Sequence, residues 1–209
     1  MYALVTDNKI TKFINHPKAM VIGDVQYPAK IFQLWSTSEL NAIGIYEVVF
    51  DDSNKKDEKW YINTNQSYDF ADNTVTASYG TATAKAHADS LWTQDEIDDG
   101  DAPEGTSPGD VKVEGLKTKL IRTLKQQVAG ILSNTDWYIT RNTEKSTAIP
   151  SAISTHRDAV RTKQTEMETA IINAVDTPAL ETLYAYVNTG TFESPVIERP
   201  LGELPTLEL

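Results

Sequence analysis

The chain has 209 residues, with 19 Lys and Arg against 30 Asp and Glu for a formal net charge of −11, and no cysteine. That balance disfavours nucleic acid and anionic membrane, which both need a cationic face; the missing thiols exclude disulfides, iron–sulfur clusters, thiolate zinc sites and cysteine nucleophiles. At 40% hydrophobic residues the chain can bury a core, no run reaches the roughly 18 apolar residues of a membrane span, and Met1–Phe13 lacks a signal peptide's apolar stretch, so a soluble product of the cytoplasm is expected.

Tyr2–Thr6 and Lys9–Ile14 read as a hairpin around Asp7 and Asn8, two residues that tolerate the positive φ of a tight turn. Ser36 and Glu39 have capping-box spacing, and the short helix they open is stopped at Gly44. Ile45–Phe50, Trp60–Asn63, Ser67–Phe70 and Thr74–Tyr79 have the β-branched and aromatic character of strands. The alanine-rich stretch Thr81–Leu91 reads as helical. Asp95–Asp110 then holds seven acids, three glycines, two prolines and no Lys or Arg. Such a segment repels itself and has little to bury, so it is expected to be a linker.

Beyond it the pattern is helical. Leu116, Leu120, Leu124 and Val128 step by four, joined by Ile121, Ile131 and Leu132. A polar break follows Asn134, and a second helix is expected from Ser151 to Val175. Its positions Ile153, Val160, Met167 and Ala174 recur every seven residues, a narrow stripe that wants a partner and points to self-association. Thr177 and Pro178 open a third helix as a hydroxyl cap and a first-position proline, with Leu180, Leu183, Tyr184 and Val187 inside. The expected fold class is α+β: an antiparallel β-rich domain over 1–94, a linker over 95–110, a helical hairpin or bundle over 111–190 and an extended tail over 191–209.

Chemistry-bearing constellations are sparse. His16, His87 and His156 lie far apart, outside HExxH or HxH spacing. Taking Asp95 as the first position of a calcium loop puts Asp99 and Gly100 in place, but Ile97 and Thr106 fall where oxygen ligands are needed. No GxSxG, GxxxxGK[ST] or GxGxxG pattern occurs. Trp35, Tyr46, Trp60, Tyr61, Tyr68, Phe70 and Tyr79 could form a sugar platform, but a small sheet also uses such residues as core. No catalytic, cofactor-binding or metal-ligating residues are assigned, and neither an enzyme nor a cofactor is expected.

Two stretches carry a resemblance. Met1–Ile10 with Leu34–Tyr46, including Ser38-Glu-Leu-Asn-Ala-Ile-Gly-Ile-Tyr46, resembles the opening module of tail-fibre-associated proteins of tailed bacteriophages. Leu116–Arg161, with Leu132-Ser-Asn-Thr-Asp-Trp137 followed by His156-Arg-Asp-Ala-Val-Arg161, is similar to the tail assembly chaperone-type domain, in which Leu-x-x-Thr-Asp-Trp precedes Tyr-Arg-x-Ala-Leu-Arg. His156 stands at the family's aromatic position. In this motif Trp137 is expected to close over the gap between two helices. Arg157 and Arg161, four apart on one face, are expected to fork around a carboxylate, with Asp136 nearest. The resemblance implies a structural protein of a phage virion, in the tail or tail fibre, made in the host cytoplasm. Its partners would be other virion proteins and its own copies. The alternatives are a tail-fibre assembly chaperone absent from the finished particle and a carbohydrate-binding receptor protein.

Overall fold

The computed structural model describes residues 1–64 and 66–207. The fold is α+β, and the chain divides into two compact units, Met1–Thr83 and Ala84–Leu209.

The first unit holds β1 (Tyr2–Thr6), β2 (Lys9–Ile14), β3 (Met20–Ile22), β4 (Val25–Tyr27), α1 (Ile31–Leu34), α2 (Thr37–Ala42), β5 (Ile45–Asp51), β6 (Tyr61–Ile62), β7 (Ser67–Ala71) and β8 (Thr74–Ser78). The chain leaves it through β9 (Thr83–Ala84). The β1–β2 turn is the expected one, with φ of 53° at Asp7 and 59° at Asn8, and Asp72 (50°) and Asn73 (56°) repeat it between β7 and β8. Ser36 and Glu39 form the expected capping box, and Gly44 ends α2 at φ 84°. A side chain at Gly44 would also strike the Val5 carbonyl.

Five strands make one sheet in the order β2-β1-β5-β8-β7. Its pairs are antiparallel except β5–β8, which run parallel, so the sheet is mixed rather than antiparallel as expected. The reason is the connection: after β5 the chain crosses to the far edge as β7, and the Asp72–Asn73 turn sends it back beside β5. The sheet curls until its edge strands meet, with the Phe13 and Tyr68 rings 4.4 Å apart. Alternation along β1 divides the core between the two faces. Ala3 and Val5 join Val48, Val75 and Ala77 on one face, while Tyr2 and Leu4 lie against Ile14, Met20, Ile31, Leu40 and Ile45 on the other. Tyr46 packs on Phe70, and Trp60 and Tyr61 are buried, so these aromatics serve the fold.

The second unit holds β10 (Ser90–Leu91), α3 (Gln94–Asp98), β11 (Val111–Val113), α4 (Leu116–Ser133), α5 (Asp136–Lys145), α6 (Ser151–Asn173), α7 (Thr177–Tyr184), β12 (Val187–Asn188) and β13 (Ile197–Glu198). The expected linker over 95–110 is instead a folded connection inside this unit. Thr93 and Glu96 cap α3 reciprocally, Lys112 Nζ lies 2.6 Å from Glu96, and β10 pairs with β11. Local hydrogen bonds thus order a segment whose composition argues for solvent.

Thr81–Leu91 forms β9 and β10 rather than a helix, because its backbone is taken up elsewhere. The Ala86 and His87 carbonyls accept from the Leu116 and Lys117 amides, 3.0 Å each, and Asp89 accepts from Gly115 N at 2.6 Å and Thr118 Oγ1 at 2.7 Å. This segment is the N-terminal cap of α4, which has no side-chain cap of its own.

Helices α4 and α6 run antiparallel: Arg157 near the start of α6 reaches Leu132 near the end of α4, and Lys117 reaches the Ile172 carbonyl at the opposite end. Between them lie Leu116, Leu124 and Val128 with Ile153, Val160, Met167, Ile171 and Ala174. The heptad stripe of α6 is therefore spent within the unit and is not a surface for a second copy. The expected polar break is α5, and α7 is capped by Asp176 rather than Thr177, whose hydroxyl instead donates to the Lys85 carbonyl at 2.6 Å. The expected extended tail contributes β13, which pairs with β12, and buries Leu201.

Candidate functional site

The stretches 132–137 and 156–161 meet at the α4–α5 corner. Arg157 is only 7% exposed, and one of its guanidinium nitrogens, Nη1, is 2.7 Å from the Leu132 carbonyl, 2.7 Å from Thr135 Oγ1 and 2.9 Å from Asp136 Oδ1. The Thr135 hydroxyl itself donates to Leu132 at 3.0 Å. A cation is thereby placed at the C-terminal carbonyls of α4, where the helix dipole favours it. Asp136 sits in the first turn of α5, where the dipole favours an anion. The corner is rigid for an electrostatic reason.

Only half of the expected fork forms. Arg157 takes Asp136, whereas Arg161 turns outward to Asp158 at 3.3 Å. His156 is buried beside Arg157 and lines a cleft of about 280 Å³ with Ile131, Asn134, Thr135 and the chain from Leu204 to Leu207. The cleft is mostly apolar, so the His156 ring serves there as packing surface.

Trp137 does not close over the helices. It is 51% exposed in the first turn of α5, and Arg157 holds the corner in its place. The Trp137 ring lies against Tyr138, with centroids 3.8 Å apart, and the Arg141 guanidinium stands 4.7 Å from the Trp137 ring and 5.4 Å from the Tyr138 ring. The spacing from 137 to 141 is one helical turn, which puts the cation over the indole. Arg141 Nε is buried without a hydrogen-bond partner, and among the described residues Arg141 has no carboxylate. Ile139 is also exposed, and α5 has no buried residue. Tyr138 and Arg141 escape notice in the sequence, since they acquire meaning only once 136–145 is known to be helical.

His16, His87 and His156 stay apart, and among the described residues no group of three His, Asp or Glu side chains is arranged to hold a metal ion. No helix of the described residues is long and apolar enough to cross a membrane. Several carboxyls are held below their ordinary range by local donors: Asp89 by the Gly115 amide and the Thr118 hydroxyl, and Glu96 by Lys112 and Thr93. These groups serve caps and corners. Tryptophan, tyrosine and arginine gathered on one solvent-facing helix have instead the composition of a protein-binding hot spot.

Comparison with family models, with characterised proteins and with solved structures finds no match for the chain.

Proposed function

We propose that this protein is a non-enzymatic structural component of a phage virion, in the tail or its fibres, and that α5 presents its partner surface. One observation carries the reading: Trp137, the residue on which the tail-protein resemblance centres, faces solvent on a helix whose entry is locked by the buried Arg157. A tryptophan mounted rigidly and left half-exposed suits docking, because little side-chain entropy remains to be lost on binding.

The test is mass spectrometry of purified particles from cells producing wild-type protein or Trp137→Ala. The wild-type chain is expected in the particle, and the variant is expected to fold yet be missing from it. Wild-type chain found in the lysate and absent from particles would replace this reading with that of an assembly chaperone. Normal incorporation of Trp137→Ala would remove α5 as the partner surface.

A further inference from the structure

The arm formed by β12, β13 and the loop between them is built to hold its tip in place. Thr189 N donates to the Val196 carbonyl at 2.8 Å and Thr191 N to the Ser194 carbonyl at 3.1 Å. The Asn188 side-chain oxygen accepts from Gly190 N and from Val196 N, both at 3.0 Å. A side chain at Gly190 would overlap the Ser194 carbonyl, so this close loop needs glycine. At the tip of this hydrogen-bonded arm Phe192 is 100% exposed, followed by the exposed Glu193. Tyr186, Val187, Val196 and Ile197 add apolar surface along the arm. An ordered arm displaying this much apolar surface marks an interaction site.

The complementary surface is on α5. Of the five arginines in the sequence, four hold a carboxylate: Arg122 with Glu114, Arg157 with Asp136, Arg161 with Asp158 and Arg199 with Glu203. Arg141 alone, among the described residues, does not, and it lies over two aromatic rings. A phenylalanine followed by a carboxylate supplies what this surface lacks, a ring to stack on Trp137 and Tyr138 and an anion for the guanidinium. Phe192, wholly exposed, does not make this contact within its own chain.

Resting on the reading of α5 as a partner surface, we propose that the Phe192–Glu193 tip of one copy docks on the Trp137–Tyr138–Arg141 surface of a second copy. Tip and receptor are different patches, so the contact is heterologous: each copy gives one arm and receives one, and head-to-tail repetition closes into a ring where the rotation allows it.

The test is sedimentation of the full chain over a concentration series, with circular dichroism as the check of folding. Wild type is expected to associate. Phe192→Ala, Arg141→Glu and Glu193→Arg are each expected to keep the wild-type spectrum and to raise the concentration for half-assembly at least tenfold. An equimolar mixture of Arg141→Glu and Glu193→Arg is expected to recover assembly, because each tip then meets a receptor of opposite charge. A monomeric wild type, or folded Phe192→Ala and Arg141→Glu variants that assemble normally, would overturn the proposal. If wild type stays monomeric while Trp137→Ala is still excluded from particles, docking between copies fails and the virion-partner reading stands. Assembly that obeys the charge exchange while Trp137→Ala enters particles normally sustains the docking and removes α5 from incorporation.

Discussion

Arg157 and Trp137 exchange the roles that their residue types suggest. The charged side chain is buried because three oxygens converge on it, and the aromatic one is exposed because α5 begins at Asp136 and turns it outward. Arg157→Ala strands Leu132 and Thr135 at a buried corner and is expected to cost about 2–3 kcal/mol, the scale of hydrogen bonds to a charged group. Arg161→Ala, at an exposed ion pair with Asp158, is expected to stay within about 0.5 kcal/mol. Trp137→Ala is expected to cost below about 1 kcal/mol, as a half-exposed side chain should. Urea denaturation of the three variants beside wild type checks all three, and a loss of several kcal/mol for Trp137→Ala would return the indole to the core. The pairing of Arg157 with Asp136 was expected from the sequence, which offers Asp136 in the 132–137 stretch as the carboxylate for the arginines of the 156–161 stretch. The fate of Trp137 was not, because side-chain direction depends on where a helix starts, and 136–145 has no apolar stripe to announce one.

At the scale of elements, patterning succeeded where a face is buried and failed where a segment is held by hydrogen bonds. The stripes of α4 and α6, the start of α7 with its buried Leu180, the Asp7–Asn8 turn and the Ser36–Glu39 box could be read because their causes are local, whereas Val187, expected inside the third helix, lies beyond its end at Tyr184 and is exposed in β12. The cap of α4 could not, because it comes from Asp89, 26 residues before the Gly115 amide that it accepts. A side chain at Gly115 would meet the Ala88 backbone, and alanine is also the poorer residue at this N-cap, so Gly115→Ala is expected to destabilise by roughly 1–3 kcal/mol. Thermal melts decide, and an unchanged melting temperature would mean that Ala88 gives way freely. The same cap has a pH signature. The Asp89 carboxyl is held below its ordinary value, so its stabilisation is complete above the unfolded-state pKa of about 3.9 and is lost as the pH falls through the lower folded-state value. Asp89→Asn is therefore expected to melt below wild type near neutrality, with the gap closing as the pH drops under about 4. A gap that does not depend on pH would show that the amide's shape, not its lost charge, matters.

Across the whole molecule, composition and connectivity disagree about where the second unit begins. The acidic composition of 95–110 places a boundary there, yet the compact unit starts at Ala84, because 86–89 holds the first turn of α4 and Thr177 Oγ1 ties α7 to the Lys85 carbonyl. Two fragments separate these alternatives. Residues 84–209 contain the α4–α6 core together with its cap, whereas 111–209 contain the same helices without the Ala86, His87 and Asp89 acceptors. Leaving those N-terminal amides to water, and losing the Lys85 tether, removes roughly 2 kcal/mol on the scale of a lost N-cap plus a buried hydrogen bond. In a unit of this size that amounts to a melting temperature lower by on the order of 10 °C. Far-UV circular dichroism melts of the two fragments are expected to show that difference, with 84–209 the more helical at every temperature below its transition. Equal melting curves would move the boundary to residue 110 and make the acidic run a tether after all.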